Sequence, residues 1–185
     1  MARSSGCLRG FASALLACAV LAHYSGTARA DDSTETAGDV LRVALPAAAF
    51  ALTFKHDDQP GRKQFYRAFG ANILGTWALK EAFDKKRPDG TGSDAFPSGH
   101  SSSAFQGAAF IHRRYGIRSA WPAYVLATVT AWTRVDADEH DIADVLAGAA
   151  VGIASSWLLV ERRDTSVTAF ATPEMIGIQI SGRFR

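Results

Sequence analysis

The chain has 185 residues, 48% of them hydrophobic and 21% charged, with 20 Lys+Arg against 18 Asp+Glu and a mean hydropathy of zero. That length suits one domain with a single sizeable core, and so apolar a composition excludes a disordered chain, which cannot bury enough surface to offset the entropy of ordering. A formal net charge of +2 with no long basic run disfavours a nucleic-acid partner.

The chain opens with Arg3 and Arg9, then an apolar stretch over residues 11–22 (FASALLACAVLA), then Ala28-Arg29-Ala30. A basic segment, a short apolar core and an Ala-x-Ala site predict a secretory signal peptide over residues 1–30. Cys7 and Cys18, the two cysteines, both lie inside it, so the exported form carries neither a disulfide nor thiol chemistry. Two other readings stay open. An uncleaved segment would be a first membrane helix, although twelve apolar residues fall short of the roughly 20 that span a bilayer. Leu15-Leu16-Ala17-Cys18 also loosely resembles a lipoprotein cleavage site, which would anchor the chain at Cys18.

Residues 31–38 are polar and read as a flexible lead-in. Five apolar segments follow, near 39–54, 64–84, 100–115, 119–133 and 141–160, separated by charged or Gly/Pro connectors. Ala, Leu and Phe dominate them, so the expected fold is an all-α bundle of about five helices over residues 39–163. Pro46 is expected to start or kink the first helix and Pro122 to sit in a first helical turn. Residues 164–185 form a tail in which Ile176, Ile178 and Ile180 alternate with period two, the pattern of a short strand. No internal repeat is present.

The longest uncharged run, residues 145–160, is sixteen residues long and interrupted by Ser155 and Ser156, so hydropathy favours a water-soluble exported bundle. Basic residues nevertheless gather in alternate connectors: Lys55, Arg62, Lys63 and Arg67, then Arg113, Arg114 and Arg118, then Arg162 and Arg163. Crossing helices would place all of these on the cytoplasmic side, as the positive-inside rule requires.

Three clusters at helix boundaries carry chemistry. In the first, Lys80 and Arg87 stand seven residues apart just before Pro88, a spacing of two helical turns that lets both cations project from one face onto an anion. A solvated helix end stopped by proline explains the same residues equally well. The second is Pro97-Ser98-Gly99-His100 ahead of an apolar helix: glycine lets backbone amides approach a ligand, and a helix N-terminus favours phosphate. A turn with Ser98 as N-cap is its plain alternative. The third runs from Thr133-Arg134 to His140 and Asp144. Four residues apart, His140 and Asp144 share a face if helical, and the carboxylate then holds one imidazole nitrogen while the other is free as nucleophile or base. A helix-surface pair is the bland reading. Asp136, Asp138, Glu139 and Asp141 read as a solvated linker tuning His140, because Asp141 stands where a calcium loop needs glycine.

Taken jointly the clusters read Lys-x6-Arg-Pro, Pro-Ser-Gly-His and Arg-x5-His-x3-Asp, in that order. This strongly resembles the three-part signature of the type 2 phosphatidic acid phosphatase superfamily, which includes bacterial non-specific acid phosphatases and vanadium haloperoxidases. The resemblance covers about residues 66 to 160; Thr133 stands where Ser often precedes the arginine. The resemblance implies that His140 is the nucleophile, that Asp144 holds it, and that His100 is the general acid. It implies that Lys80, Arg87, Arg134, the Ser98 hydroxyl and the Gly99 amide bind the phosphoryl oxygens, with no metal and no cofactor.

The expectation is a metal-independent, acid-phosphatase-type phosphomonoesterase, exported to the periplasm and acting through a phosphohistidine on a lipid phosphate or a small phosphate ester. A vanadate-dependent haloperoxidase and a non-catalytic envelope anion-binding protein are the alternatives. An integral inner-membrane bundle with its site facing the periplasm is the alternative placement. His56 and His112 are expected at the surface. Trp77, Trp121, Trp132 and Trp157 are expected in the core or as interfacial anchors.

Overall fold

A computed structural model describes residues 30–163, 166–171 and 176–181, with side chains described for residues 33–163. Five helices follow one another: α1 (Ala30–Lys55), α2 (Gln59–Ala82), α3 (Gly99–Tyr115), α4 (Ile117–Asp136) and α5 (Ile142–Leu159). The all-α bundle that composition suggests is the fold, and local chemistry sets its boundaries. Asp58 caps α2 by accepting the Gly61 amide, with Pro60 in the first turn, and Ser98 caps α3. A reciprocal capping box between Asp141 and Asp144 starts α5. Only Gly116, at φ 89°, separates α3 from α4.

Several expectations are corrected. Residues 31–38 are helical and form the first turns of α1 instead of a loose lead-in, while the signal-peptide expectation falls, Ala30 apart, outside the described residues. Pro46 starts no helix: α1 continues through it, and Pro122 lies inside α4, past its first turn. In the tail, Ile176–Ser181 (β2) is a strand, and it pairs antiparallel with Ser166–Ala171 (β1), Ser166 opposite Ser181 and Ala171 opposite Ile176. The first of these strands alternates too weakly to be read from sequence.

Helix α3 is the hub. Ala104, Ala108, Ala109 and Phe110 are fully buried, and its neighbours close on it through small residues. A side chain at Gly107 would stand 2.7 Å from the Leu45 backbone of α1. One at Gly152 of α5 would run into the Ser102 carbonyl, and one at Gly148 into the Ser98 carbonyl. Such close backbone approach is how helices associate where apolar solvent supplies no hydrophobic drive.

The outside of the bundle bears out that comparison. Large apolar side chains face outward from every helix around α3: Val43 and Phe54 on α1, Leu74 and Trp77 on α2, Val125 and Trp132 on α4, Leu146 and Leu158 on α5. Trp77 and Trp132 lie toward one end of the bundle and Trp121 and Trp157 toward the other, all four exposed and none in the core, as in interfacial aromatic belts. Ser33–Lys55 and Ile142–Leu159 are each long and apolar enough to cross a membrane, contrary to the expectation that no segment reaches spanning length. The water-soluble form therefore finds no support.

The end opposite the three clusters is locked by a buried ion pair. Asp58 accepts from Arg114 Nε at 2.7 Å and Nη2 at 2.5 Å and from the Tyr115 hydroxyl at 2.9 Å. Arg114 also donates to the Glu161 and Arg162 carbonyls, tying the α1–α2 turn, the end of α3 and the exit of α5 together. Burial alone would raise the Asp58 carboxyl, but Arg114, the Gly61 amide and Tyr115 outweigh it and bring it down to about 2. His56 stacks on Tyr115, and His112 Nδ1 lies 3.2 Å from the Tyr124 hydroxyl, so both are partly buried at this end and not simply on the surface.

Replacing Asp58 by Ala leaves Arg114 buried and uncompensated, and is expected to cost about 3 to 5 kcal/mol in a denaturant titration of the purified chain. Because the carboxyl titrates lower folded than unfolded, its contribution in the wild type is complete above about pH 4 and is lost as pH falls toward 2.

Candidate active site

All three clusters meet at one end of the bundle, carried by the end of α2 and the loop after it, the start of α3, and the turn between α4 and α5. Arg134, in the last turn of α4, is 1% exposed, and its carbonyl accepts the amides of both Glu139 and His140, folding the chain back over the guanidinium. This turn aims His140, itself 3% exposed, at His100 in the first turn of α3. A ring nitrogen from each imidazole and a Glu139 carboxylate oxygen all lie within 4.8 Å of one another.

His100 is held on several sides. Its Nε2 lies 2.6 Å from Asp39 Oδ1 and 3.2 Å from both Arg42 Nη1 and Arg134 Nη1. Asp39 and Arg42 come from α1. Sequence reading placed Asp39 at the edge of a polar lead-in and noticed neither as part of the site; the missed signal is the i, i+3 acid–base pair where the apolar part of α1 begins. Gly38 beside them permits the approach, since a Cβ there would run into the Thr133 hydroxyl.

The first cluster is assembled differently from expectation. Helix α2 ends at Ala82, so Lys80 is helical while Arg87 lies in the following loop, and the two do not share a helix face. They meet instead on Asp94. Arg87 donates to its carboxylate at 2.9 and 3.3 Å, and the Lys80 ammonium donates to its carbonyl, 3.6 Å from the carboxylate. The loop is braced by Ala95 N to Lys85 O at 3.0 Å and Arg87 N to Gly92 O at 2.8 Å. The loop supplies Lys85, Arg87 and Asp94 to the site.

The His140–Asp144 pair is likewise corrected. His140 precedes α5, whose N-cap is Asp141, so the two residues share no helix face. His140 Nδ1 lies 3.8 Å from Asp144 Oδ2, longer than a hydrogen bond, and has no hydrogen-bond partner among the described residues. Asp144 is fully buried and otherwise engaged: Oδ1 takes Lys85 Nζ at 2.6 Å and Oδ2 the Asp141 amide at 3.0 Å. Lys85, unnoticed in the sequence, also pairs with Asp141 at 2.8 Å.

Ser98 is fully buried, its hydroxyl oxygen accepting the Ser101 amide at 3.4 Å, so the cap reading of this residue holds; its proton stays available for donation. Gly99 opens α3, and a Cβ there would meet nothing within 4 Å, leaving the helix N-terminus accessible from that side. Glu139 is no part of a solvated linker. Its side chain is 13% exposed and lies 3.5 Å from Arg134 and 3.7 Å from Arg87.

Burial lowers the His140 imidazole from its ordinary value to about 4, with Lys80 and Arg87 adding to the effect and the Ala95 carbonyl and Asp144 opposing it. The ring is therefore neutral at pH 7, the state a nucleophile requires. A proton-detected titration of labelled imidazoles is expected to place the His140 midpoint near pH 4, and a midpoint near 6.5 contradicts the burial. Because this pKa is lower folded than unfolded, the associated stability is complete above about pH 6.5 and declines as pH falls toward 4.

Comparison with known proteins identifies the family. The model of the PAP2 superfamily matches residues 7–167, and the chain belongs to that superfamily. It is 42% identical over 91 residues to the lipid A 1-phosphatase of Porphyromonas gingivalis, a match covering 46% of this chain and 20% of that protein. It is 32% identical over 146 residues to the lipid A 4'-phosphatase of Helicobacter pylori, covering 69% of this chain and 70% of that protein. The chain thus spans about a fifth of the first relative and more than two thirds of the second. Among solved structures, Aquifex aeolicus LpxE shares the fold at a TM-score of 0.61 and 18% identity, covering 72% of this chain and 88% of that one.

Proposed function

We propose that the chain is a membrane-embedded phosphomonoesterase that removes a terminal phosphate from a lipid, lipid A being the substrate class its relatives' names suggest. The observation that carries this reading is the meeting of His100 and His140 beside Arg134 and Arg87, at one end of an apolar-surfaced bundle.

In this reading a ring nitrogen of neutral His140 attacks phosphorus as the bond to the lipid oxygen breaks. The departing electron pair goes to that oxygen, which takes a proton from His100. Lys80, Arg87, Arg134, the Ser98 hydroxyl and the Gly99 amide neutralise and orient the phosphoryl oxygens, the main requirement of phosphoryl transfer. Water then attacks the phosphohistidine, giving its proton to His100; the P–N bond breaks, its electron pair returns to His140, and inorganic phosphate leaves. Asp39 orients the His100 ring through its contact with Nε2, and Asp144 acts on His140 across 3.8 Å while anchoring Lys85. The residues need no metal for these steps. The bundle lies in the inner membrane with this end toward the periplasm and the Arg113, Arg162 and Arg163 end toward the cytoplasm.

Purified His140→Ala and His100→Ala variants are expected to lose at least about 100-fold in turnover of a phosphorylated lipid in mixed micelles, the scale of a positioned acid or nucleophile. Wild-type turnover by either variant overturns the assignment. Vanadate is expected to inhibit; halide oxidation in its presence with peroxide would select a haloperoxidase instead.

A further inference from the structure

Glu139 is a charged group of the site to which the proposed reaction gives no task. Its carboxylate sits against Arg134 at 3.5 Å and Arg87 at 3.7 Å, within 4.8 Å of a ring nitrogen of both His100 and His140. That is the position in which the phosphoryl oxygens of a bound substrate would make the same contacts. The fit is poor for a carboxylate: a charge-assisted hydrogen bond to guanidinium closes to about 2.7–2.9 Å, and both distances here are longer. Arg134 registers the shortfall. Buried as it is, its Nε and Nη2 have no hydrogen-bond partner among the described residues. A buried guanidinium with open donors asks for more acceptors than two distant carboxylates and one imidazole nitrogen supply.

We infer that Glu139 is a built-in competitor for the phosphate subsite: its carboxylate occupies the Arg87–Arg134 cradle when no phosphate is bound and must give way when one arrives. The inference rests on the proposed phosphate site. Two consequences follow. The carboxylate keeps both arginines partnered in the empty site, limiting the cost of burying their charge. It also repels the dianionic phosphate left after hydrolysis, which favours product release over product inhibition. A residue that merely positions Arg134 would act in the opposite sense, since its removal would misplace the arginine and weaken phosphate binding. The sign of the effect therefore separates the two roles.

The test is direct binding of inorganic phosphate to the full-length chain in detergent at pH 8, measured by calorimetry, for wild type, Glu139→Gln, Glu139→Ala and Arg134→Leu. Expected are at least tenfold tighter binding by Glu139→Gln, a change of the same sign for Glu139→Ala, and loss of binding by Arg134→Leu. Unchanged or weaker binding by both Glu139 variants, with melting temperatures near wild type and normal binding by wild type, overturns the competitor role while leaving the phosphatase reading intact. Phosphate that binds wild type and Arg134→Leu equally, or binds none of the four proteins, wild type included, overturns the cradle itself and with it both readings.

Discussion

Arg134 is a buried charge with no close carboxylate. It is almost wholly buried, it faces His100 Nε2 at 3.2 Å, and its nearest carboxylates, Glu139 and Asp39, stand at 3.5 and 3.7 Å. Buried charge without close partners is costly, and the surroundings relieve that cost only in part. The rest of the site is arranged around this one cation. The turn after α4 folds over its carbonyl, α1 brings Asp39 and Arg42 to the far side of His100, and the loop after α2 brings Arg87 to the same carboxylate. In the proposed reaction, the phosphoryl group would supply the acceptors that the protein withholds.

The same economy runs through the fold. At the basic end Asp58, Arg114 and Tyr115 pair at ordinary hydrogen-bonding distances and tie three connectors together. At the site end Lys85, Arg87 and His100 each have a carboxylate within 2.9 Å, but the carboxylates around Arg134 stand at 3.5 and 3.7 Å. A rigid far end and a tightly packed α3 let that imbalance persist. Gly148 and Gly152 are part of this, because they let α5 approach so closely that the Ser98 turn is fixed by contact with its backbone. Ser98 N, donating to the Asp144 carbonyl at 3.0 Å, joins the second cluster to the third.

Much of this was legible in the amino-acid order. Helix-forming composition gave five helices nearly where they are, and the Lys80, Arg87, His100, Arg134 and His140 motif positions do gather at one end. Local spacing failed where the chain stops being helical. The seven-residue interval between Lys80 and Arg87, and the four-residue interval between His140 and Asp144, were read on helices that end or begin between the paired residues. Asp39, Lys85 and Asp94 were missed because their importance comes from contacts across 59 or more residues, or around a loop, that no periodicity reports. Hydropathy averaged over apolar runs also understated α1, whose polar first turns and Arg42 mask a helix long enough to cross a membrane.

The most direct measurement is to identify the covalent intermediate. Wild-type chain mixed with a radiolabelled lipid phosphate, quenched in alkali within milliseconds and digested, should carry the label on His140 alone, with none on the His140→Ala chain. Label on another residue, or turnover with no protein-bound phosphate at any quench time, would contradict the account.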